Sequence, residues 1–239
     1  MGQPIEFERS YILHDEDLVG NLELYHFDPA YWRQDSESSE VFGGRGGSIK
    51  ININGIPAIL RPYLRGGMAA NLSTDRYLWT GKSRSRPWRE WSMLKLAKEA
   101  GMPVPRPLGA CVQRSGLLYR AAIITAWLEG TETLAERLLQ EPLQKESWHE
   151  LGILLREFQE HGFRHADLNA NNLLIDQQGK FFIIDFDKAV KMKSLQGWQW
   201  LALHRLQRSL EKIDRQNQLH YRPSDWQTLI DGYQSKGRV

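Results

Sequence analysis

The chain of 239 residues contains a single cysteine, Cys111, so an intramolecular disulfide is excluded and a reducing compartment is expected. Apolar runs of the roughly 18 to 20 residues needed for a membrane-spanning helix are also missing. The N-terminus has neither a basic start nor an apolar stretch, so we expect no signal peptide and synthesis in the cytoplasm. A net charge of only +2, without a basic stripe interleaved with aromatics, argues against nucleic-acid binding. Cys111 itself is expected to be a packed residue rather than a nucleophile.

The first half of the chain is predicted to be rich in strands. Residues 48–54 alternate between apolar and polar side chains, Gly-Ile-Pro at residues 55–57 breaks the pattern, and residues 58–61 resume it, which predicts an antiparallel pair joined by a tight turn. Residues 88–100 have helical spacing of their apolar side chains, with Gly101 as a suitable helix end. Residues 117–127 form a nearly continuous apolar run, which is typical of a buried strand.

Helical periodicity dominates the second half. Apolar side chains between Trp148 and Phe158 recur on one helical face, and that predicted helix ends near Gly162. Two short strands, at residues 173–175 and 181–184, flank a turn and predict a small hairpin. A helix over residues 198–213 follows. The pattern predicts an α+β fold, with a β-rich N-lobe over residues 1–128 and a helical C-lobe over residues 129–239 that together form one domain.

One stretch in the second half carries the spacing that phosphoryl transfer requires. It begins His165-Ala166-Asp167-Leu168, and Asn172 lies five residues after Asp167. Protein kinases have H-R-D-L-x-x-x-N in their catalytic loop and a later metal-binding Asp followed by Phe. Here the later motif opens with Asp185. The combined pattern therefore predicts a protein-kinase-like two-lobed fold that uses ATP.

Each of these polar residues has an expected role. Asp167 is the candidate catalytic base, which accepts a hydrogen bond from the acceptor hydroxyl and takes its proton. Asn172 and Asp185 are candidate ligands of Mg²⁺ on the ATP phosphates, because Mg²⁺ prefers hard oxygen donors. His165 is expected to order the loop by hydrogen bonding rather than to exchange protons with substrate.

A kinase also needs a cation for the α- and β-phosphates. The stretch ending in Arg61 has the shape of the V-A-I-K strand of kinases, with Arg in the place of Lys, and Glu90 on the following helix is its expected partner. A glycine-rich segment precedes the hairpin, where a phosphate-covering loop belongs, since glycines let backbone N–H groups approach phosphate. Its candidate nucleotide-binding residues are Gly44, Arg45, Gly46 and Gly47.

The predicted helix at residues 198–212 mixes Trp and Leu with Arg, His and Lys. Such a helix can lie on an anionic lipid surface, or it can pack its apolar face inward. Packing is the favoured interpretation.

Several segments together resemble a known family. They are LRPYLRGG at residues 60–67, YLWTG at 77–81, SRPWRE at 85–90, PVPRP at 103–107 and HADLN at 165–169. The chain resembles the lipopolysaccharide kinases over roughly residues 43–212, most closely those that act on 3-deoxy-D-manno-octulosonic acid (Kdo). This resemblance implies ATP-dependent phosphorylation of the 4-hydroxyl of Kdo in Kdo-lipid IVA, with Asp167 in the active site. It also implies a peripheral position on the cytoplasmic face of a Gram-negative inner membrane.

Departures from the protein-kinase pattern favour a non-protein acceptor. Asp187 replaces the Gly of D-F-G, Asn169 replaces a frequent Lys and could contact sugar hydroxyls, and residues 188–193 leave no room for a long activation loop. No protein partner is evident. Arginines are the candidate contacts to the anionic acceptor, because their fork matches a carboxylate or phosphate. They are Arg65, Arg84, Arg86 and Arg89.

Other functions remain compatible with the sequence. A lipopolysaccharide heptose kinase, an antibiotic phosphotransferase or another small-molecule kinase would share the same loop. A non-catalytic pseudokinase that binds nucleotide or lipid is the alternative of another class, and Arg61 in the Lys position is its best support.

Overall fold

The computed structural model describes residues 5–7, 9–34, 39–40, 47–64, 75–193 and 197–235. Antiparallel strands and helices are both present, so the predicted α+β class is confirmed. The chain divides into two compact units. Met1–Lys95 with Pro105–Trp127 form the first, and Leu96–Val104 with Leu128–Val239 form the second.

Eight strands in the described part of the first unit form one antiparallel sheet in the order β1-β2-β7-β8-β5-β4-β3, with β6 also paired to β8. They are β1 (Ile5–Phe7), β2 (Ser10–His14), β3 (Ser39–Glu40), β4 (Ile49–Ile53), β5 (Ile56–Pro62), β6 (Tyr77–Leu78), β7 (Pro107–Ser115) and β8 (Leu118–Ala126). The predicted pair is β4 with β5, but Ile56 and Pro57 belong to β5, so the turn is at Asn54 and Gly55 rather than over residues 55–57. Both turn residues have positive φ angles (51° and 83°). That backbone is the one a two-residue hairpin turn demands.

One face of this sheet is covered by the segment between β2 and β3. The segment contains α1 (Glu16–Val19), a short 3₁₀ helix (Leu24–Phe27) and α2 (Pro29–Trp32). Its Val19, Phe27 and Trp32 are buried in one cluster with sheet residues such as Leu60 and Cys111. Burial raises the pKa of the Cys111 thiol to about 12. Cys111 is therefore a packed, unreactive residue, as expected from the sequence.

The helix predicted at residues 88–100 is α3 (Arg86–Glu99), and Gly101 follows it with a φ of 78°. Trp88 packs against Val112 and Tyr119 of the sheet in a second cluster. Glu90, one turn into the helix, is only 2% exposed. The first turn of α3 thus carries a carboxylate into the interior of the first unit.

The second unit is mainly helical and contains two small antiparallel sheets, β12-β11-β9 and β10-β13. Its elements are β9 (Thr131–Thr133), α4 (Leu134–Gln140), α5 (Lys145–Glu160), β10 (Phe163–Arg164), β11 (Leu173–Asp176), β12 (Phe181–Ile183), β13 (Val190–Lys191), α6 (Trp198–Asn217) and α7 (Pro223–Gln234). The predicted hairpin is β11 with β12, and the predicted helices are α5 and α6. Within the described ranges, no helix combines the length and the apolar character needed to cross a bilayer.

Helices α5 and α7 approach each other at backbone distance. A Cβ atom built on Gly152 would lie 2.1 Å from the carbonyl oxygen of Leu229, and one on Gly232 would lie 2.0 Å from that of His149. Nearby, the hydroxyl of Tyr233 donates to Oε1 of Gln159 at 2.5 Å, and both side chains are buried. The two glycines are therefore required by close approach rather than by their φ angles.

We predict that Gly152→Ala destabilises the protein by roughly 2 kcal/mol or more, because the added methyl group forces the two helices apart. Helix propensity acts in the opposite direction, since Ala is favoured over Gly by about 1 kcal/mol in a helix. Urea denaturation followed by circular dichroism measures the change. Glu150→Ala on the exposed face of α5 is the control and should shift stability by less than about 0.5 kcal/mol. Wild-type stability in Gly152→Ala would contradict the close helix contact.

Candidate active site

The candidate catalytic loop, residues 165–172, is held at both ends by paired strands. It begins after β10, which pairs with β13, and it ends at β11, which pairs with β12. The backbone N–H of Ile184 also donates to the carbonyl of Asn172 at 3.0 Å. Asp185 directly follows Ile184, so the hairpin register brings the backbones of the two candidate metal-binding residues, Asn172 and Asp185, to the same end of the hairpin.

His165 connects the loop to the Asp185 segment. Its Nδ1 accepts from the backbone N–H of Asp167 at 3.2 Å, so the proton is on Nε2, which donates to the carbonyl of Ile184 at 2.9 Å. The ring is 4% exposed and meets Phe186 edge to face at 5.6 Å. Burial lowers the pKa of His165, although the bond to Ile184 acts in the opposite direction. The expectation that His165 orders the loop is confirmed.

Asp167 has an anchored backbone and an accessible carboxylate. Its carbonyl oxygen accepts from the side-chain amides of Asn169 and Asn172, at 2.9 and 2.8 Å. Its side chain is 54% exposed, and Oδ1 accepts from Arg205 at 2.8 Å. This arrangement presents an accessible carboxylate, on an anchored backbone, to a group outside the loop, which is what a candidate base requires.

The structure gives Asn169 a role inside the loop. Its amide nitrogen donates to the Asp167 carbonyl, and its Oδ1 accepts from the backbone N–H of Asn171 at 2.9 Å. Both polar ends therefore serve the turn that carries Asp167. A contact from Asn169 to a sugar hydroxyl stays a prediction.

Asn172 and Asp185 carry an amide oxygen and a carboxylate, the hard donors that Mg²⁺ prefers, and their role as its ligands stays a prediction. The amide nitrogen of Asn172 is used by the Asp167 carbonyl, and in the described part of the chain its Oδ1 has no partner. Asp185 has a φ of 63°, a left-handed conformation that is costly for a residue other than Gly and often marks a functional site. The described ranges contain no group of three or more His, Cys, Asp or Glu arranged for a metal. Two protein oxygens with phosphate oxygens and water are the usual shell of Mg²⁺ in nucleotide sites.

In the first unit, Arg61 forms the predicted ion pair with Glu90. The nitrogen Nη2 of Arg61 lies 2.5 Å from Oε1 of Glu90, and the hydroxyl of Tyr63 donates to Oε2. Strand alternation explains this geometry, because Arg61 and Tyr63 are two residues apart and so lie on the same face. The pairing of Arg61 with Glu90 is confirmed, whereas its role at the nucleotide stays a prediction. Tyr63 was missed as a partner, although this alternation was the signal for it.

The glycine-rich segment is described only at its end. Gly44, Arg45 and Gly46 lie outside the described residues, and Gly47 has a φ of 97°. Residues 41–48 connect β3 to β4, which are antiparallel neighbours. The role of this segment at the nucleotide stays a prediction.

The arginines proposed as acceptor contacts differ in their surroundings. Arg65 lies outside the described residues, while Arg84 and Arg89 are exposed. The guanidinium of Arg86 lies over the rings of Tyr63 and Tyr77, at 4.9 and 4.7 Å from their centroids. Arg86 is therefore held by aromatic side chains of the first unit.

Helix α6 confirms the favoured packing interpretation and adds a residue that the sequence analysis missed. Its buried face consists of Trp198, Ala202, Leu203, Leu206 and Leu210. Its exposed side carries Arg205, the partner of Asp167, together with Trp200 and Leu201. The sequence signal for Arg205 was its place among the basic residues of this amphipathic helix, but its pairing with Asp167 depends on tertiary structure.

The buried neutral imidazole makes stability depend on pH. The unfolded state binds a proton on His165 at its ordinary pKa of about 6.5, whereas the folded state binds it only at lower pH. Stability from this group is therefore complete above about pH 6.5 and decreases below it, by at most about 1.4 kcal/mol per pH unit. We predict that His165→Asn is less stable than wild type at pH 7.5 but loses less stability between pH 7.5 and 5.5. Urea midpoints at both pH values measure this.

The exposed His204→Asn is the matched control and should keep the wild-type dependence on pH. Parallel losses in wild type and His165→Asn would contradict a neutral, loop-ordering His165.

The sequence was compared with those of known proteins. Residues 30–233 match the Lipopolysaccharide kinase (Kdo/WaaP) family. A 3-deoxy-D-manno-octulosonic acid kinase of Vibrio vulnificus (strain YJ016) is 35% identical over 97% of this chain and 98% of its own length. A protein of the same name from Stenotrophomonas maltophilia (strain K279a) is 37% identical over 93% of this chain and 88% of its own length. Another, from Xanthomonas axonopodis pv. citri (strain 306), is 40% identical over 84% of this chain and 80% of its own length. The chain therefore belongs to the lipopolysaccharide kinase (Kdo/WaaP) family.

Proposed function

We propose that this protein transfers the γ-phosphate of ATP to the 4-hydroxyl of Kdo in Kdo-lipid IVA, a step of lipopolysaccharide core biosynthesis. The observation that carries the proposal is the half-exposed carboxylate of Asp167 on an anchored loop that also holds Asn172. The family match supports a kinase, and the names of the relatives support Kdo as the acceptor. The position of the hydroxyl rests on the family resemblance.

The loop is assigned two tasks in catalysis. Asp167 acts as the general base, and the other loop residues hold Asp167 in position. The acceptor hydroxyl donates a hydrogen bond to Asp167 and gives up its proton as its oxygen bonds to the γ-phosphorus. The bond from that phosphorus to the β,γ-bridging oxygen breaks, and ADP leaves. Asn169 and Asn172 hold the Asp167 backbone, so the carboxylate needs little reorganisation in the transition state.

Two kinds of side chain are proposed to balance the negative charge of the ATP phosphates. The first are oxygen ligands for a metal ion, and the second is a cation. Asn172 and Asp185 would hold Mg²⁺, which neutralises charge on the transferring phosphoryl group when bound. Arg61 is the proposed cation for the α- and β-phosphates. Glu90 accepts from its guanidinium, which also lies 5.0 Å from the centroid of the Tyr63 ring, and Arg keeps a permanent charge where kinases usually have Lys.

The alternatives differ in acceptor or in turnover. A heptose kinase would use the same base on a neutral sugar, and an antibiotic phosphotransferase would use it on a cationic acceptor. A pseudokinase would bind nucleotide or lipid without transfer. The presence of Asp167, Asn172 and Asp185 in one hydrogen-bonded arrangement favours turnover.

We predict Mg²⁺-dependent addition of one phosphate to Kdo-lipid IVA by the purified protein, with a loss of about 10²- to 10⁴-fold in Asp167→Asn. Mass spectrometry of the lipid product measures the transfer. Asp231→Asn on the exposed side of α7 is the control and should retain wild-type activity. Retained activity in Asp167→Asn would refute the base assignment. Transfer to heptose but not to Kdo would indicate a heptose kinase, and ATP binding without any transfer would indicate a pseudokinase.

We further propose a peripheral position on the cytoplasmic face of the inner membrane, where a lipid-linked acceptor is within reach. Support comes from the start of α6, where Trp200 is 43% and Leu201 is 65% exposed. Basic side chains, among them Arg205 and Arg208, follow on the exposed side of the same helix. Apolar anchors beside basic residues are typical of helices at an anionic lipid surface.

We predict that replacing Trp200 and Leu201 together by Ser weakens binding to phosphatidylethanolamine–phosphatidylglycerol vesicles by about tenfold or more, because burying one large apolar side chain contributes about 1.5 to 3 kcal/mol. Vesicle co-sedimentation measures the partition. Leu139→Ser is the control, because Leu139 is similarly exposed on α4. Unchanged binding in the double variant, or an equal loss in the control, would contradict this membrane surface.

A further inference from the structure

A small cavity lies beside the candidate base in the second unit. Its volume is about 190 Å³, and its wall includes Arg164, Arg205 and Arg208 together with the apolar side chains of Trp198 and Leu201. His165 and Ala166, the residues just before Asp167, complete part of the wall. Among the described residues, the lining contains three guanidinium groups and no carboxylate. We call this cavity the arginine pocket.

The positive charge of the arginine pocket is only partly balanced. Arg205 contacts Asp167 through Nη1, and its other guanidinium nitrogens have no partner in the part of the chain that the structure describes. Arg164 and Arg208 are exposed, and neither has an ion pair within those same ranges. Like charges grouped around one cavity repel each other, and an anion bound among them removes this repulsion. Guanidinium groups bind carboxylate and phosphate with paired hydrogen bonds.

We propose that the arginine pocket binds the carboxylate of the acceptor sugar. This inference rests on the proposed function, because it takes Kdo as the acceptor and Asp167 as its base. Arg205 contacts the base with one nitrogen and retains other donors for an anion, so an anion on Arg205 would lie close to a hydroxyl that donates to Asp167. In Kdo the carboxylate and the 4-hydroxyl are on the same six-membered ring, which satisfies this short separation.

Other anions of the reaction fit the arginine pocket less well. The phosphates of the lipid portion are on different sugars of the acceptor, farther from the hydroxyl that reacts. The phosphates of ATP are assigned to Asn172 and Asp185 through Mg²⁺, and these two residues are not part of the pocket wall. The carboxylate of the acceptor is therefore the ligand that the position of the pocket favours.

The pocket accounts for specificity toward an acidic sugar. A neutral heptose has no carboxylate and leaves the three guanidinium groups without a counter-charge. Trp198 is buried and supplies an apolar part of the pocket wall, and charged contacts beside such a low-dielectric surface are stronger than in water. Arg164 and Arg208 are binding residues in this account, while Arg205 both positions Asp167 and binds the acceptor.

The test compares two acceptors and three variants. The acceptors are Kdo-lipid IVA and the same lipid with the Kdo carboxylate converted to its methyl ester. The variants are Arg164→Gln, Arg208→Gln and the control Arg215→Gln, which removes an exposed arginine of the same helix α6 outside the pocket. Arg205 is left intact because it contacts Asp167. Thermal denaturation checks that each variant is folded.

We predict that wild type and Arg215→Gln use the acid about 10- to 100-fold better than the ester in kcat/KM, the effect of losing a charge-assisted hydrogen bond. Arg164→Gln and Arg208→Gln should raise the KM for the acid, leave the KM for ATP unchanged, and lose most of the preference for acid over ester. Equal use of acid and ester by wild type would overturn the pocket assignment and leave the proposed function intact. The pocket assignment would also be overturned if the two variants keep the preference, or if they raise the KM for ATP instead. Transfer to a neutral heptose in place of either Kdo acceptor would overturn the proposed function as well.

Discussion

The hydrogen bonds of one imidazole determine how the candidate site is built. His165 accepts from the backbone of Asp167 and donates to the backbone of Ile184, so it connects the loop of the base to the segment of Asp185. A protonated ring could not accept from the backbone N–H of Asp167. In the other neutral tautomer, the proton on Nδ1 would point at that same N–H, so two donors would face each other. Burial against Phe186 keeps the ring neutral and fixed in orientation. The two carboxylates are thus positioned by a residue that needs no contact with substrate.

In both units, the number of hydrogen-bond donors around a functional carboxylate increases with the burial of that carboxylate. Glu90 is almost fully buried, and it is stabilised because Arg61 and Tyr63 each donate to one of its oxygens. A buried carboxylate with only one donor would be costly. Asp167 is half exposed and needs less compensation, so one contact to Arg205 leaves its second oxygen available to an acceptor. The difference in burial matches the difference in task, because Glu90 supports a cation and Asp167 is proposed to exchange a proton.

The sequence predicted those parts of the fold that depend on local pattern. The β4–β5 hairpin follows from alternation on either side of a break, although its turn lies at Asn54 and Gly55 rather than over residues 55–57. Helix α5 follows from the spacing of its apolar residues. The short ladder of β10 and β13 could not be found this way, because each strand has only two residues and the catalytic loop and the β11–β12 hairpin separate them in sequence. Helix α7 was not predicted, although Trp226, Leu229 and Tyr233 have helical spacing; Gly232, which the close contact with α5 requires, weakens the signal only near its C-terminal end.

For the candidate site, as for the fold, the sequence predicted local features better than contacts between residues that are far apart in the chain. The roles proposed for Asp167, Asn172 and Asp185 depend on fixed spacing in one short region, and a motif can capture that. The contacts of Asp167 with Arg205 and of Glu90 with Tyr63 join residues that are far apart in sequence, and only the folded backbone brings them together. Arg205 thereby changes where acceptor recognition is expected. The sequence directed attention to arginines before and within α3, whereas the base itself is paired with an arginine of α6, so discrimination between acidic and neutral sugars is best sought where that helix meets the catalytic loop.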